Sequence, residues 1–333
     1  MKKNGSIAAI ILAAGKGTRM KSRLPKVLHC LLGQPILGHV ISLLDRLGIS
    51  TDHQVVVVGH GREIVSKYLV DLNVNIVYQE QQLGTGHAVS CTRSFFSGFS
   101  GPILIICGDT PLFTKATLDR FVNAHLEART AVSILSATFK DPTGYGRIIR
   151  GEDGHLMAII EEKDAEPQVK KIREVNTGTY LVDSSVIFQL LEQVDSDNAQ
   201  GEYYLTDVVG IALDQGFRVQ AFDFAREEEA FGVNSRYQLA VAESIMLQRL
   251  RIAHMDAGVT ISMPDTVYIE PTVVIESDVI ICSHTVLKGR TRIGRGAVVG
   301  SHSYLDGYEC PPEYILAPGT VRVSQDRNKG LCP

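Results

Sequence analysis

Eight aliphatic residues recur at six-residue intervals: Met263, Ile269, Ile275, Ile281, Leu287, Ile293, Val299 and Leu305. In a chain that is 44% hydrophobic, such a run in one frame arises by chance about once in 700 trials. Small or β-branched residues stand two positions earlier, at Val267, Val273, Val279, Thr285, Thr291 and Ala297. This pattern predicts a triangular parallel β-helix whose inward aliphatics stack in ladders, at about eighteen residues per coil. The array is short, under about three coils. Its register fades after Leu305 through Pro311 and Pro312, and Val321 and Val323 fit a closing strand.

The chain before the repeat follows another rule. From Ile7 to about Phe224 short apolar runs alternate with amphipathic helical patterns, which predicts an α/β domain around a mostly parallel sheet covered on both faces. The clearest strands are Ile7–Leu12, Gln54–Val58, Asn75–Tyr78 and Ile103–Cys107. Pro35 suits the first turn of a helix carrying Ile36, Leu37, Val40, Leu43, Leu44 and Leu47, with Gly48 ending it. Arg147–Ile149, Leu156–Ile160 and Val175–Val182 read as strands added on one side of the sheet. A helical pattern free of Gly and Pro runs from Ser235 to Ala257. The expected division is an α/β domain over 1–234, a linking helix over 235–257 and a short left-handed β-helix over 258–333.

Thirty-three Lys and Arg against 37 Asp and Glu leave a net charge of −4, so no global field draws this chain onto nucleic acid or anionic lipid. Any phosphate it binds must meet a local cluster of cations. The six cysteines form no C-x-x-C pair and no zinc spacing, and are expected as free thiols of a cytoplasmic protein. Lys2, Lys3 and the apolar run Ile7–Ala14 resemble a short signal peptide. Five basic residues between Lys16 and Lys26 follow directly and hinder translocation, and the run also reads as a buried strand. No stretch approaches the roughly 18 apolar residues of a membrane span.

Chemistry is written most densely after the first strand, in Leu12-Ala13-Ala14-Gly15-Lys16-Gly17-Thr18-Arg19-Met20 and Leu24-Pro25-Lys26. A glycine-rich loop leaving a strand can aim backbone N–H groups at phosphate oxygens, with Lys16, Arg19 and Lys26 supplying charge. Met20 in the third glycine position excludes a dinucleotide fingerprint, and the Walker spacing is absent. The plainer alternative is a tight turn with solvated basic residues. Asp109 follows another strand, at the edge where open α/β sheets place ligands, and a carboxylate there suits Mg²⁺. Its alternative is to cap a helix starting near Thr114, against which Pro111 and Leu112 intervene. No histidine spacing suggests a metal site or a catalytic base, and no G-x-S-x-G elbow supports a serine hydrolase.

The first-strand loop resembles the signature of the sugar-1-phosphate nucleotidyltransferases, most of all the bacterial N-acetylglucosamine-1-phosphate uridyltransferases. Further motifs follow in that group's order: Gln79 to Ala88, Cys107 to Leu112, Asp141 to Arg147, Glu161 to Ala165, Asn176 to Gly178, Gly201 to Asp207 and Gly232 to Asn234. The resemblance covers about residues 5–305 and implies a Rossmann-like domain followed by a left-handed β-helix. It implies Mg²⁺-dependent uridylyl transfer from UTP to N-acetylglucosamine 1-phosphate, giving UDP-N-acetylglucosamine and pyrophosphate for the cell envelope. By the same resemblance Asp109 and Asn234 hold the metal, and Lys26 and Arg19 face the transferred phosphoryl group and the leaving pyrophosphate. Leu12, Ala14, Gly15, Gly17, Thr18, Gln79, Gly84 and Thr85 bind the nucleotide. Gly146, Glu161, Asn176, Tyr204 and Thr206 bind the sugar phosphate. A homotrimer through the β-helix is expected, as in family members. Within the class the rivals are another hexose 1-phosphate or another base; outside it, a non-catalytic nucleotide-sugar sensor. Bifunctional members acetylate glucosamine 1-phosphate on later coils of a longer β-helix, and with 28 residues after Leu305 this chain is expected to lack that activity.

Overall fold

The computed structural model describes residues 7–324 and Cys332. Lys2 and Lys3 lie outside these residues. Two compact units emerge, Met1–Leu28 with Ile36–Ser235, and His29–Pro35 with Arg236–Pro333.

The first unit is built on a nine-stranded sheet. Its strands are β1 (Ala8–Ala13), β2 (Gln54–Val58), β3 (Asn75–Tyr78), β4 (Pro102–Cys107), β5 (Val132–Thr138), β6 (Arg147–Arg150), β7 (Leu156–Ile160), β8 (Glu174–Asp183) and β9 (Val219–Ala225). The order is β9-β5-β8-β4-β1-β2-β3, with β6 and β7 attached beside β8. The apolar run near the N-terminus is therefore a central strand. β1 lies parallel to both β4 and β2, and its residues alternate between two cores: Ala9, Ile11 and Ala13 face one layer, Ala8 and Ile10 the other. Burial on both faces explains why these strands are continuous aliphatic runs rather than alternating ones.

Two local expectations are corrected. Glu174–Asp183 is not added at one side. It lies between β4 and β5, antiparallel to both, and makes the sheet mixed. Strand order across a sheet is a long-range property that no local pattern encodes. The β8 register also shifts between Asn176 and Thr179, a bulge of the kind that re-aims side chains beside functional sites. Pro35 ends a short hairpin strand, paired with Cys30, and the helix starts at Ile36.

The second unit opens, after that hairpin, on the helix Arg236–Asp256. The repeat then forms three parallel sheets whose strands pair coil to coil, as in Ile269 with Leu287 and Ile275 with Ile293. The ladder from Ile269 to Leu305 is buried, as are the small residues two positions earlier. Met263 is not part of it: it is 63% exposed, and Ile261 pairs with Ile281 in its stead. The short 3₁₀ turn Pro264–Thr266 lengthens this first coil by two residues relative to the hexad rule. The ladder also continues past Leu305 to Cys310 and Leu316, both buried. The step from Leu305 to Cys310 is five residues instead of six, so one omitted residue hides the register from a fixed-period reading.

The expectation of six free thiols fails for one pair. Cys30 and Cys332 form a disulfide across 302 residues of sequence, a separation at which no spacing motif exists. The other four cysteines are free. Unfolding the protein in iodoacetamide without reductant should therefore label four cysteines by mass spectrometry, and labelling of all six would show the pair reduced.

Candidate active site

The carboxyl ends of β1 and β4 lie side by side, with Leu12 opposite Cys107 and the Gly108 N–H donating to the Leu12 carbonyl at 2.9 Å. Parallel pairing thus brings the glycine-rich loop after β1 and Asp109 after β4 to one edge. Gly17 has φ +58°, and a Cβ there would come 2.7 Å from Lys26 Cβ, so only glycine lets the loop fold over Lys26. The Lys26 ammonium donates to Asp109 Oδ2, in an ion pair, and to Asn234 Oδ1 at 2.8 Å. Asn234 is brought there by its neighbour, since the Val233 N–H donates to the Asp109 carbonyl at 2.9 Å. Asp109 does not cap the next helix, Lys115–Ala128. Thr114 does, its hydroxyl accepting from the Thr117 N–H at 3.2 Å.

A cavity of about 540 Å³ opens on these groups. Leu12, Ala14, Gly15, Lys16, Gly17, Thr18, Arg19, Lys26, Asp109 and Asn234 line one side, and Gln79, Gly84 and Thr85 another. Gly84 has φ +110°, and a Cβ on it would stand 2.5 Å from the Tyr203 carbonyl oxygen. The Thr85 hydroxyl opens the helix Thr85–Ser90 and accepts from the Leu205 N–H at 3.1 Å.

Glu161, Tyr204 and Thr206 line a second cavity of about 360 Å³. The Thr206 hydroxyl donates to Glu161 Oε1 at 3.3 Å, the Asn176 N–H donates to the Gly146 carbonyl at 2.9 Å, and Gly146 lies against the Glu161 carboxylate. These five residues thus form one cluster. Gln200, which local sequence does not mark, joins the two cavities: it lines the first and donates to the Tyr204 hydroxyl at 2.8 Å.

Asp109 and Asn234 already converge on one cation, the Lys26 ammonium, and offer it oxygen donors only. No group of three or more His, Cys, Asp or Glu forms a metal cage among the described residues. One carboxylate and one amide oxygen fit a hard divalent cation whose shell is completed by phosphate oxygens and water.

The sequence model of the family described as nucleotidyl transferase matches residues 8–259. The chain belongs to the nucleotidyl transferase family. It is 42% identical over 325 residues to the bifunctional protein GlmU of Bacillus velezensis, covering 97% of this chain and 71% of that one. The GlmU of an Exiguobacterium strain is 48% identical over 295 residues, and the match spans 65% of that protein's length. In fold the chain is similar to a crystal structure from Bacillus anthracis assigned as a glucose-1-phosphate thymidylyltransferase, with a TM-score of 0.57, 21% identity and cover of 72% of this chain and 95% of that one.

Electrostatics divide the site of this nucleotidyl transferase into unlike halves. The cations sit on the glycine-rich loop. Around the second cavity stand Glu161, Asp164, Asp195, Asp197 and Asp207. Burial raises the Glu161 carboxyl above its usual range, against the pull of the Thr206 hydroxyl. The Cys107 thiol, beside Asp109, is pushed up to about 12 by burial and then by that carboxylate, so it offers no thiolate nucleophile. Burial, then repulsion from Asp195 and Asp164, raises Asp207 to about 6. A raised folded-state pKa makes this group's contribution to stability most favourable below 3.8, its ordinary value, and the contribution is lost as pH rises through about 6. Asp207→Asn should therefore melt about 2–4 °C above wild type at pH 7.5, with the gap closing toward pH 4.5 in calorimetry. An equal or lower Tm at pH 7.5 would show that Asp207 ionises freely.

Proposed function

We propose that this chain transfers a uridylyl group from UTP to N-acetylglucosamine 1-phosphate, releasing pyrophosphate and giving UDP-N-acetylglucosamine for the cell envelope. The observation that carries the reading is the meeting of Lys26, Asp109 and Asn234 beneath a glycine-rich loop, in a member of the nucleotidyl transferase family. The likeness to GlmU proteins supports the choice of base and sugar.

The nucleophile is a phosphate oxygen of the sugar phosphate, attacking the α-phosphorus of UTP in line while the bond to the pyrophosphate oxygen breaks. That oxygen is already ionised, so no general base is needed, and catalysis consists of aligning two anions and reducing their repulsion. Lys26 and Arg19 supply positive charge toward the transferred phosphoryl group and the leaving pyrophosphate, and the N–H groups of Gly15, Gly17 and Thr18 hold phosphate oxygens. Mg²⁺ held by Asp109 and Asn234 would neutralise charge on the phosphates. Gln79, Gly84 and Thr85 face the uracil. Gly146, Glu161, Asn176, Tyr204 and Thr206 hold the amino sugar and its phosphate, a carboxylate and an amide being suitable partners for sugar hydroxyls.

We propose that the reaction takes place in the cytoplasm, where UTP is available; no helix among the described residues is long and apolar enough to cross a membrane. We also propose a homotrimer through the β-helix, where Ile280, Ile315 and Val321 are exposed on outward faces. A monomer at micromolar concentration in sedimentation would overturn it.

A panel of nucleoside triphosphates and hexose 1-phosphates, read by pyrophosphate release, tests the reaction; the fastest turnover is expected with UTP and N-acetylglucosamine 1-phosphate. A protein that releases no pyrophosphate with any pair would be a binding protein instead. Asp109→Ala should abolish Mg²⁺-supported turnover while the protein stays folded, and near-normal turnover would remove Asp109 from the metal site. Lys26→Ala should lower kcat by roughly 10²–10³, whereas a rise in KM alone would make Lys26 a binding residue.

A further inference from the structure

Gln79 is almost fully buried yet lines the nucleotide cavity. Its backbone is held from both sides: its N–H donates to the Val58 carbonyl at 2.9 Å, and its carbonyl accepts from Gln82 Nε2 at 3.2 Å. Only the side-chain amide remains to be oriented. Its Nε2 donates to the Gly84 carbonyl at 3.0 Å and lies 3.0 Å from His87 Nδ1. An amide has two N–H hydrogens and one acceptor oxygen, so both hydrogens are committed to the wall. The oxygen, Oε1, makes no hydrogen bond among the described residues, and Gln79 lines the cavity.

The reverse orientation would set Oε1 against the Gly84 carbonyl oxygen, acceptor against acceptor. His87 reinforces the choice, because Nδ1 accepts a hydrogen bond only when the ring proton sits on Nε2. That nitrogen lies 3.9 Å from Cys91 Sγ, one helical turn on, where the sulfur is a weak acceptor. A relay thus runs from the Cys91 sulfur through His87 and the Gln79 amide to the Gly84 carbonyl.

We propose that His87 is a positioning residue for base selection: it holds the Gln79 oxygen toward the cavity, so the site takes bases that present a ring N–H, such as uracil or thymine, and rejects cytosine, whose N3 is an acceptor. Cytosine would leave Oε1 facing another acceptor, and a site built to bond one group rejects an analogue that cannot supply it far more strongly than a loss of packing would. The inference rests on the proposed reading of this wall as the base pocket.

The test compares wild type, His87→Leu and His87→Asn by titration calorimetry with UTP and CTP, and by kcat and KM for each. Wild type is expected to prefer UTP by about 10⁴. His87→Leu, which removes the acceptor, should lose about tenfold of that preference through binding and KM, with kcat for UTP within about twofold. His87→Asn, which restores an acceptor, should recover most of it. A folded His87→Leu protein that keeps the preference overturns the role of His87 alone. A wild-type protein that binds UTP and CTP equally overturns the base pocket with it. Nitrogen-15 spectra of histidine-labelled wild type decide the relay without any variant: His87 is expected as the Nε2–H tautomer, and the Nδ1–H tautomer would overturn the proposal.

Discussion

One cation holds the site together. The Lys26 ammonium joins Asp109, 83 residues away, to Asn234, 208 residues away, and each partner depends on a different part of the fold to reach it. Asp109 arrives because β4 runs parallel to β1 and ends beside it. Asn234 arrives because the Val233 N–H is pinned to the Asp109 carbonyl. Lys26 itself is reached only because Gly17 leaves room above it. An ammonium between an anionic and a neutral oxygen marks a place where positive charge is stable inside a chain of net charge −4. A divalent cation and phosphate groups draw on that same electrostatic design.

How much of this was legible in the sequence depended on range. β1, β2 and β4 are visible because strands buried on both faces are written as near-continuous aliphatic runs, whereas the edge strand β3 is only half-buried, with Tyr78 exposed. The hexad ladder was visible for the same reason, as a local rule repeated coil after coil. Errors arose where position was decided from far away. The insertion of β8 between β4 and β5, and the pairing of Cys30 with Cys332, leave no nearby trace. A fixed period misplaces both ends of the ladder, at Met263 and at Cys310, where a lengthened first coil and a shortened later step break the period without breaking the fold. Among the candidate site residues, Lys26 and Asp109 could be argued from charge and strand ends. Asn234 looked like any turn residue, and resemblance alone singled it out. His87 lies within the Gln79–Ala88 motif, yet only its 3.0 Å approach to the Gln79 amide gives it a part.

The distribution of charge also orders the substrates. Lys16, Arg19 and Lys26 line the cavity beneath the glycine-rich loop, whereas Glu161, Asp164, Asp195, Asp197 and Asp207 surround the adjoining one. A phosphate brought into the acidic cavity would be repelled, and hydroxyl groups brought there would find acceptors. In the proposed reaction a sugar phosphate would therefore lie with its ring among the carboxylates and its phosphate toward the cations. That orientation would face its phosphate oxygen toward a nucleotide whose own phosphates occupied the loop. The carboxyls of Glu161 and Asp207 are raised chiefly by burial, which is the cost of gathering acceptors that, in the proposed reaction, a sugar would satisfy. The same concentration of negative charge would repel a second triphosphate from the acidic cavity, so in the proposed reaction the two anionic substrates would be sorted by field before any hydrogen bond distinguished them.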